Sequence, residues 1–478
     1  MRIHFIGICG TAMATVAALL KRQGHDVTGS DQNVYPPMSD FLREEQIPIL
    51  TPFAAGHIGA DVDLVVVGNA ISRGNPELET VLETRARYCS LPEVIRDQFL
   101  WTSRPIVIAG THGKTTTTAL TGWLLTHANR DPSVLVGGIA LNLGDGGSSY
   151  RAGRGPEFVI EGDEYDSAFF DKTAKFLKYL PQIAVIGNIE FDHADIYQDL
   201  DAVRLAFRRL ANLVPRNGLL LLGHDSPDAA ALRDAAVSPV ETFGTSDAAT
   251  WQACDVEHAD GVTSFTVRYR GQPIGRFRSP LLGFHNVRNA LAAVAVSRSV
   301  GIPADEVAAG LQAFKGVKRR LEIIGVRSGV TVMDDFAHHP TAVHETLNAL
   351  RAGYPSRRIW AVFEPRSASS CRRVFQDDFA RAFSAADEVV VAAVFRSLLP
   401  ESERLSEERL VSDLRSQGQR ARYIREVDAI VHTIAAERRE GDIVVLMSNG
   451  GFGGIHQKLL DALNDVDSPA APADSVAS

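Results

Sequence analysis

The sequence is poor in cysteine, has no run of basic residues and contains no long unbroken hydrophobic segment. Only four cysteines occur among 478 residues, and none of them forms a CxxC pair. This scarcity excludes a disulfide framework and a cysteine-rich zinc site, and it predicts a reducing, cytoplasmic location. The formal net charge is −9, with 49 Lys and Arg against 58 Asp and Glu. An acidic chain without a basic patch binds nucleic acid poorly, so we expect no nucleic-acid partner.

The apolar segment near the N-terminus, Phe5–Leu20, could pass for a signal peptide but lacks the other features of one. Lys21 and Arg22 stand where a signal peptide has a small-residue cleavage site, and Gly7 and Gly10 interrupt the apolar run. The segment is also too short to span a membrane. We therefore interpret it as a strand, a glycine turn and a helix, and we expect no membrane partner.

The composition and the order of apolar segments indicate a soluble α/β protein with several domains. Hydrophobic residues make up 45% of the chain and charged residues 22%, which provides enough apolar material for several cores. Strand-like segments alternate with helical ones, a pattern typical of parallel sheets covered by helices. We predict three domains and a disordered tail, with the boundaries 1–100, 101–321, 322–464 and 465–478.

Hydrophobic periodicity predicts the individual elements. Strands are predicted at Ile3–Ile6, Asp26–Thr28, Leu64–Val67, Pro105–Ala109, Phe158–Ile160, Ile183–Ile186, Leu219–Leu222, Val330–Met333, Ile359–Phe363, Glu388–Val394 and Ile443–Met447. Helices are predicted over 12–22, 116–126, 289–300, 341–350 and 407–415. Alternating apolar and polar residues over 262–278, around a turn at Gly271-Gln272-Pro273, predict an antiparallel hairpin. The third block has the pattern of a doubly wound α/β unit.

The strongest chemical motif is the loop Gly110-Thr-His-Gly-Lys114-Thr115, which lies between a predicted strand and a predicted helix. Backbone N–H groups at a helix N-terminus attract phosphate oxygens. In such a loop Lys114 reaches the β- and γ-phosphates, and Thr115 offers its hydroxyl to Mg²⁺. The match is incomplete, because Ile108 replaces the glycine that usually comes six residues before the lysine.

Two acidic clusters follow neighbouring predicted strands. Glu161-Gly-Asp-Glu-Tyr-Asp166 follows one of them, and Asn188-Ile-Glu-Phe-Asp-His193 follows the other. Ligands of open α/β sheets bind outside the carboxyl ends of the strands, so both clusters are expected to meet the phosphate loop in one crevice. Carboxylates there suit Mg²⁺, whereas His193 is an unusual ligand for that ion. The alternative is a solvated acidic loop and a surface histidine.

The segment Gly283-Phe-His-Asn-Val-Arg-Asn289 opens a predicted helix and offers two asparagine side chains. Asparagine pairs a donor with an acceptor and suits an adenine edge, but it also caps helices, and both readings stay open. Arg320 stands just before the second boundary. From there an arginine can swing onto a transferring phosphoryl group.

The first block carries a weaker nucleotide signal. The loop Gly7-Ile-Cys-Gly10-Thr-Ala-Met13 is a partial glycine motif, yet the helix that follows it can bind a pyrophosphate at its N-terminus. Ser30-Asp31 ends the second strand, where an acidic residue often meets a ribose. A dinucleotide or a nucleoside-diphosphate sugar would fit this arrangement equally.

The third block offers groups that suit a carboxylate. Arg366 lies at a strand end and can bind a carboxylate through two hydrogen bonds. Ser448-Asn-Gly-Gly451 follows the last predicted strand, and its glycines would allow backbone N–H groups to approach an anion closely. The alternative is that Gly450–Gly454 only shapes a turn.

These motifs, taken together and in this order, resemble the Mur ligase superfamily over the range from Met1 to about Leu463. The resemblance is carried by GTHGKT, EGDEYD, NIEFDHAD, GFHNVRNALAA, KRRLE and DDFAHHPTA. It implies a Rossmann-like UDP-sugar domain, a P-loop ATPase domain with a parallel sheet plus a small antiparallel part, and a Rossmann-like C-terminal domain for the amino substrate. It also implies ATP-dependent amide formation through an acyl phosphate. A nucleotide-driven switch without catalysis is the alternative, which Glu161, His193 and the two flanking domains argue against.

The resemblance also implies roles for individual residues. The catalytic set is Lys114, Glu161, His193 and Arg320, and two Mg²⁺ ions are expected on Thr115, Glu161 and His193. ATP is expected on Gly110, Thr111, His112, Gly113, Lys114, Thr115, Thr116, His285, Asn286, Asn289, Arg320, Asp335 and His338. The UDP-sugar is expected on Gly7, Gly10, Thr11, Ala12, Met13, Ser30, Asp31 and Asn69. The peptide substrate is expected on His339, Arg366, Ser448 and Asn449.

Within the superfamily, segments such as GICGTAM and VTGSDQNVYPPMS are similar to those of members that bind UDP-N-acetylmuramate itself. The similarity implies L-alanyl-γ-D-glutamyl-meso-diaminopimelate as the amine donor, in peptidoglycan recycling, with free L-alanine as the alternative. After Ser367 the sequence departs from the expected pattern, which leaves the peptide contacts open. No lysine occurs between His193 and Pro215, and Arg208 lies near the place of a metal-holding carbamylated lysine, so no carbamate is expected. We expect a monomer or a weak homo-oligomer.

Overall fold

The computed structural model describes residues 1–35, 38–259, 261–395 and 399–465. Three sheets succeed one another along the chain, each flanked by helices, which confirms the predicted α/β class. None of the helices in these ranges is both long and apolar enough to cross a membrane. The last helix ends at Asp465, and the rest of the predicted tail lies outside the described residues.

The first sheet has five parallel strands in the order β3-β2-β1-β4-β5. Its strands are β1 (Arg2–Ile6), β2 (Asp26–Ser30), β3 (Ile49–Leu50), β4 (Leu64–Val67) and β5 (Tyr88–Ser90), and its helices are α1 (Thr11–Arg22), α2 (Met38–Glu44), α3 (Pro76–Thr84) and α4 (Leu91–Ile95). The apolar residues of Phe5–Leu20 are largely buried, because β1 is central and α1 packs on the sheet. The strand, turn and helix predicted for this segment are confirmed.

The second sheet has ten strands in the order β17-β16-β15-β14-β13-β12-β6-β9-β7-β8. The strands of this part of the chain are β6 (Arg104–Ala109), β7 (Ser133–Ala140), β8 (Ser148–Arg151), β9 (Glu157–Gly162), β10 (Asp166–Ala168), β11 (Asp171–Ala174), β12 (Ile183–Ile186), β13 (Leu219–Gly223), β14 (Val240–Gly244), β15 (Trp251–Ala259), β16 (Val262–Tyr269) and β17 (Gln272–Ser279). Its helices are α5 (Lys114–His127), α6 (Leu200–Leu213), α7 (Pro227–Ala230), α8 (Phe284–Ser299) and α9 (Ala304–Gln312). The strands from β15 to β7 run parallel, and antiparallel pairs extend both edges.

The antiparallel part is larger than the predicted hairpin, because β15 pairs with β16 and extends it to three strands. The predicted turn is displaced: Arg270 and Gly271 form it, whereas Gln272 and Pro273 already belong to β17. Proline is tolerated there because β17 is an edge strand. On its outer side there is no neighbouring strand that would need a backbone N–H from it.

Strands β10 and β11 form a separate two-stranded ribbon that reaches toward the first sheet. Phe170, in the turn of the ribbon, packs edge to face on Tyr88 of β5 with ring centroids 5.1 Å apart. The ribbon therefore connects the part of the chain that holds the phosphate loop with the N-terminal part.

The third sheet has six strands in the order β18-β19-β23-β20-β21-β22 and is parallel except for β18. Its strands are β18 (Glu322–Arg327), β19 (Val330–Asp335), β20 (Ile359–Phe363), β21 (Glu388–Val391), β22 (Arg420–Tyr423) and β23 (Ile443–Met447). Its helices are α10 (Pro340–Gly353), α11 (Gln376–Ala382), α12 (Glu407–Ser416), α13 (Val427–Glu437) and α14 (Ile455–Asp465). Both central strands, β20 and β23, are fully buried, as expected where helices cover both faces of a parallel sheet.

The three sheets use separate stretches of the chain, and the predicted boundaries near residues 100 and 321 fall between them. The boundaries themselves stay predictions. Buried residues of the first sheet and of one face of the second form one continuous hydrophobic cluster, whereas the third sheet has clusters of its own. The junction of the second and third parts depends more on polar contacts, such as the 2.6 Å bond from Thr341 Oγ1 to Glu190 Oε2.

Candidate active site

The phosphate-type loop follows β6, and its shape depends on two glycines with positive φ, Gly110 at 135° and Gly113 at 81°. A Cβ on Gly113 would collide with the amide of Asn289, so the loop and α8 can approach only with glycine there. The side chain of Asn188 holds the loop from the end of β12, since its Oδ1 accepts from His112 N at 2.7 Å. Ile108, at the place of the missing glycine, is a buried residue of β6.

Lys114 begins α5 and turns its ammonium group back over the loop. Its Nζ donates to Gly110 O at 2.8 Å and to Thr111 O at 3.1 Å, and it pairs with Glu164 Oε2 at 2.8 Å. Burial would lower the pKa of Lys114, but Glu164 and neighbouring carboxylates raise it overall. The lysine is therefore charged and already neutralised by a carboxylate that an anionic phosphate would replace.

Thr115 and Glu161 bring two oxygen ligands together beside the loop. Thr115 Oγ1 donates to Glu161 Oε1 at 3.0 Å, and Gly137 N donates to Glu161 Oε2 at 2.8 Å. Burial raises the pKa of Glu161, which means that its anionic form lacks sufficient positive charge nearby. A hydroxyl and a carboxylate are hard ligands, and a bound cation would supply the missing charge, so these residues fit Mg²⁺.

His193 lies on the other side of Glu164, with Nε2 3.1 Å from Glu164 Oε1. Its backbone is in the left-handed region, at φ 54°, and its ring packs on Tyr165 at 4.2 Å. Burial would lower the pKa of His193, but Glu164 and Asp192 raise it overall. Glu164 thus links Lys114 with His193. Our residue assignments omitted it, although the acidic cluster that contains it was visible.

The residues expected around adenine all line one cavity. Asn286 Nδ2 donates to Leu282 O at 2.9 Å, and Asn289 Nδ2 donates to Asn286 Oδ1 at 3.1 Å. The residue that caps α8 is Gly283, so neither asparagine has the capping role considered above. His285 lies 3.6 Å from Glu345, and His285 and Arg288 help to hold the pKa of Glu345 at about 2 against the effect of burial.

Arg320, at the end of the second part of the chain, approaches the same cavity together with Asp335 and His338 of the third part. Burial raises the pKa of Asp335, whose carboxylate accepts from Leu321 N at 2.7 Å and Ala337 N at 2.8 Å. It therefore holds the connecting segment in place. The Arg320 guanidinium packs over the ring of Phe336 at 5.1 Å, and no ion pair of it is found among the described residues. Burial lowers the pKa of His338 to about 4, so its ring is neutral at neutral pH.

A polar cluster that we call the clasp (His112, Glu190, His339 and Thr341) joins the phosphate loop to α10. Glu190 Oε2 is 3.3 Å from His112 Nε2 and accepts from Thr341 Oγ1 at 2.6 Å. Although burial would raise the pKa of Glu190, His112 and Thr341 hold it at about 2. The ligand atoms of His112, Glu190 and His339 lie within 4.8 Å of one another, but each of these residues already has protein partners. The sequence analysis included Glu190 in the second acidic cluster but assigned no role to it or to Thr341.

His339 does not lie where we expected a peptide contact. Its side chain is buried in the clasp, where its ring packs on His112 at 4.8 Å and on Phe375 at 5.1 Å. Its Nε2 lies 3.2 Å from Phe191 O, and because a carbonyl only accepts, this nitrogen carries the proton. Burial and the nearby His112 lower the pKa of His339 to about 4. The residue therefore closes the junction between two sheets instead of lining a cavity.

A large cavity, of about 1120 Å³, lies where the second and third parts of the chain meet. Every residue expected to bind ATP lines it except Gly110, and Glu161 and His193 line it as well. Thr11 and Met38 reach it from the N-terminal part. The sequence therefore located this cavity well, since its walls come from the carboxyl ends of parallel strands.

A second cavity, of about 470 Å³, lies at the first sheet. It is lined by most residues expected to bind the UDP-sugar: Gly7, Gly10, Thr11, Ala12, Met13, Asp31 and Asn69. Ser30 is the exception, because it is fully buried and donates to Glu77 Oε2 at 2.5 Å. The carboxylate of Asp31 accepts from the N–H groups of Cys9 (2.9 Å), Gln32 (2.8 Å) and Asn33 (3.2 Å), so it orders the cavity wall. Thr11 lines both cavities.

The groups expected to bind peptide lie beside the large cavity but do not line it. Arg366 stacks on the ring of Phe395 at 3.6 Å, and a Cβ on Gly450 would collide with its guanidinium. Ser448 is buried and donates to Glu364 Oε2 at 2.6 Å, and Gly450 N donates back to Ser448 Oγ at 3.0 Å. The hydroxyl of Ser448 is therefore engaged within the turn, and its contact with a peptide stays a prediction. Asn449 Oδ1 is buried and has no hydrogen-bond partner among the described residues.

Three family descriptions match the chain in succession. Residues 2–99 match "Mur ligase family, catalytic domain", residues 108–297 match "Mur ligase middle domain", and residues 319–450 match "Mur ligase, glutamate ligase domain". Together these matches include most of the residues that line both cavities.

Curated relatives and solved structures match over nearly the full length. The UDP-N-acetylmuramate–L-alanyl-γ-D-glutamyl-meso-2,6-diaminoheptandioate ligase of Haemophilus influenzae is 40% identical over 463 residues, covering 96% of this chain and 99% of its own. A UDP-N-acetylmuramate–L-alanine ligase of Caldanaerobacter subterraneus is 36% identical, with 96% and 97% covered. The crystal structure of a murein peptide ligase from Psychrobacter arcticus matches with a TM-score of 0.72 at 36% identity, with 98% and 100% covered.

Proposed function

Because the chain belongs to the Mur ligase family, we propose that it is an ATP-dependent amide ligase that joins L-alanyl-γ-D-glutamyl-meso-diaminopimelate to UDP-N-acetylmuramate. The observation that carries this conclusion is the 40% identity, over 96% of the chain, to a relative named for that reaction. The two cavities support it, since the phosphate-type loop and its acidic neighbours line one, the N-terminal end of α1 lines the other, and Thr11 lines both. The product serves peptidoglycan recycling.

The reaction has two steps. The lactyl carboxylate of UDP-N-acetylmuramate attacks the γ-phosphorus of ATP, an acyl phosphate forms, and ADP leaves with the electron pair of the broken P–O bond. The amine of the peptide then adds to the activated carbonyl, loses a proton and expels inorganic phosphate. Two anions meet in the first step, so the site must neutralise negative charge before it can accelerate the reaction.

Lys114 is the main cation for that purpose. In the structure its charge is held by Glu164, and arrival of the triphosphate lets the lysine exchange this carboxylate for phosphate oxygens. Glu164 then remains paired with His193. Arg320 adds a second cation from the segment that connects the second and third parts of the chain, with a guanidinium that packs on Phe336 without an ion pair among the described residues.

Thr115 and Glu161 would hold one Mg²⁺ ion, and His193 would take part in holding a second. When bound, Mg²⁺ neutralises the phosphate oxygens and withdraws electron density from the phosphorus under attack. The lone pairs of the Thr115 hydroxyl would serve as the ligand, because its proton is donated to Glu161 in the structure. The two-ion count is part of the proposal.

The third part of the chain excludes water from the acyl phosphate. The clasp holds α10 against the phosphate loop, which covers the large cavity on the side of the third sheet. An acyl phosphate is hydrolysed readily, so closure protects the activated carboxyl group until the amine attacks. In this scheme residues 1–100 bind the nucleotide sugar, residues 101–321 bind ATP and residues 322–464 bind the peptide.

Arg366 is our candidate for binding a carboxylate of the peptide. It lies just after β20 and next to the glycine turn, and the central carbon of its guanidinium lies 3.6 Å from the centre of the Phe395 ring. A planar guanidinium in a fixed position binds carboxylates through two parallel hydrogen bonds. Gly450 preserves the space that Arg366 occupies, so Gly450→Ala is expected to displace the same group.

The deciding assay combines ATP, UDP-N-acetylmuramate and one amine, and it measures phosphate release and the mass of the product. We expect ligation of the tripeptide to be far more efficient than ligation of L-alanine. Efficient ligation of L-alanine, with the tripeptide ignored, would instead support the activity of the Caldanaerobacter relative. Phosphate release that needs neither the UDP-sugar nor an amine would contradict a ligase. A cytoplasmic monomer or weak homo-oligomer completes the proposal, and the four free cysteines support the location.

A further inference from the structure

The small cavity lacks the positive charge that a nucleoside-diphosphate sugar requires, unless one residue from outside the first sheet supplies it. Of the described residues that line this cavity, only Lys175 has a positively charged side chain, whereas Asp31 is negative. The N-terminus of α1 contributes only a partial positive charge of about half a unit. A pyrophosphate carries about two negative charges, so backbone groups of the first part leave it poorly neutralised.

Lys175 belongs to the second part of the chain and comes directly after the β10–β11 ribbon. Its position is fixed from both sides, since its N–H donates to Tyr165 O at 3.0 Å and the next residue, Phe176, is fully buried. The side chain is about one-fifth exposed. These constraints limit the conformations of the Lys175 side chain, so its ammonium group has a defined position.

The ammonium group of Lys175 stands between the two cavities. Its Nζ is 2.6 Å from Oδ2 of Asp163, and Asp163 lines the large cavity whereas Lys175 lines the small one. Burial would raise the pKa of Asp163, but Lys175 and Lys114 lower it overall, so the aspartate is an anion held between two lysines. Asp163 therefore interacts electrostatically both with Lys114, which lines the large cavity, and with Lys175, which lines the small one.

We propose that Lys175 is a substrate-binding residue whose ammonium group contacts an anionic oxygen of UDP-N-acetylmuramate. The inference rests on the proposed function, since it takes the small cavity to be the UDP-sugar site. Two anionic groups of this substrate can supply the oxygen, the pyrophosphate and the lactyl carboxylate. By this contact the second part of the chain completes a site whose other walls come mainly from the first part, so the sugar binds fully only when the two parts are assembled.

The test measures the dissociation constant of UDP-N-acetylmuramate by titration calorimetry on the full-length protein without ATP. Lys175→Met is expected to weaken binding by about ten- to a hundredfold, the usual effect of losing one hydrogen bond to a charged group. Lys175→Arg should restore most of the affinity. The matched control is Lys172→Met, because Lys172 belongs to the same ribbon, pairs with Asp166 at 2.5 Å and is two-thirds exposed.

A second ligand identifies the anionic group. UDP-N-acetylglucosamine has the pyrophosphate but no lactyl carboxylate. If Lys175→Met weakens both ligands equally, the contact is to the pyrophosphate, and if it weakens only UDP-N-acetylmuramate, the contact is to the carboxylate. A purely structural role would not change the salt dependence of binding, whereas loss of a charge contact should flatten it.

The result that overturns the proposal is equal binding of both UDP-sugars by Lys175→Met and Lys172→Met, with an unchanged melting temperature. If Lys175→Met fails to fold because Asp163 has lost a partner, the double variant Asp163→Asn/Lys175→Met removes the ion pair as a unit, and the same comparison applies. Absence of UDP-N-acetylmuramate binding by the unmodified protein would instead contradict the proposed function, so the two failures are distinguishable.

Discussion

The large and the small cavity meet at Thr11, yet their walls differ in chemistry. In the large cavity the key groups are charged side chains already paired with one another, as Lys114 is with Glu164. In the small cavity the walls are mostly glycine, alanine and backbone N–H groups, ordered by Asp31. One cavity must respond to charge that develops during a reaction, whereas the other must hold a substrate whose charge stays constant.

The difference predicts how each cavity responds when its ligand binds. In the large cavity, carboxylates hold the cationic side chains in position before the nucleotide binds. Binding then replaces a carboxylate partner by phosphate oxygens without changing the shape of the site. Backbone groups in the small cavity are fixed by the fold itself and need no rearrangement. We expect substitutions in the large cavity to act mainly on kcat, and those in the small cavity mainly on KM for the UDP-sugar.

The largest effect is expected for Lys114→Met. Loss of the cation that meets the triphosphate should lower kcat/KM by about a thousandfold, the effect of removing one preorganised group that stabilises the transition state. Stability should change less, because Glu164 keeps His193 as a partner. Steady-state phosphate release checks this, with exposed Lys172→Met as the control. Near-normal turnover of Lys114→Met at saturating ATP would contradict the assignment of this segment as a phosphate-binding loop.

A smaller effect is expected for the metal ligands. Thr115→Val and Glu161→Gln should lower kcat by about a hundredfold and raise the Mg²⁺ concentration for half-maximal rate by about tenfold. His193→Ala should act in the same direction. Activity is titrated with Mg²⁺, and Thr126→Val serves as the control, since the Thr126 hydroxyl only donates to Gly122 O of the same helix. An unchanged Mg²⁺ requirement in all three variants would favour the alternative, in which the acidic cluster is a solvated loop that binds no metal.

Asp31→Ala addresses the small cavity. Without the carboxylate, the N–H groups of Cys9, Gln32 and Asn33 lose a common acceptor, and the wall loses its order. We expect KM for UDP-N-acetylmuramate to rise by about tenfold while KM for ATP stays constant. Asp26→Ala, which removes an exposed carboxylate from β2, the strand that precedes Asp31, is the control. A parallel rise in both KM values would show that the two cavities are not independent.

The clasp has no counterpart at the small cavity, and it should make the junction sensitive to acid. The pKa of His339 is about 4 in the folded chain and about 6.5 when unfolded, so the unfolded chain binds more protons between these values. Its contribution to stability is therefore complete above pH 6.5 and is lost toward pH 4. The free energy of unfolding should fall there by about 1 kcal/mol per pH unit. The free energy of unfolding is measured with denaturant at several pH values between 4 and 6.5. It should depend less steeply on pH in His339→Asn than in the exposed control His344→Asn, and an identical pH dependence of the two variants would refute this role.

The contrast between the cavities also appears in what could be predicted. The phosphate loop, both acidic clusters and the asparagines of α8 were found because each follows or opens an element that the hydrophobic pattern reveals. Parallel strands present their carboxyl ends at one edge, so residues far apart in sequence were correctly expected to share one cavity. Asp335 and His338 were found only through resemblance to a family, whereas Arg320 was also proposed from its position just before the second boundary.

Other placements could not be predicted from local pattern. Ser30 and His339 lie next to cavity residues in sequence, yet one binds Glu77 and the other closes the clasp. A residue at the end of a buried strand can face a cavity or the core, and only packing decides between them. The displaced turn before β17 has the same origin, because an edge strand tolerates the proline that we had placed in the turn.

By itself, the sequence determined the class of fold, the phosphate loop and the edge of the sheet where the chemistry lies, because hydrophobic period, glycine positions and strand ends are local properties. Only the tertiary structure decided that Glu164 links Lys114 to His193, that Glu190 and Thr341 fasten α10 to the loop, and that Lys175 reaches the other cavity. These contacts join residues 29 to 151 positions apart. Their existence depends on how loops pack across the junctions, which no pattern along the chain encodes.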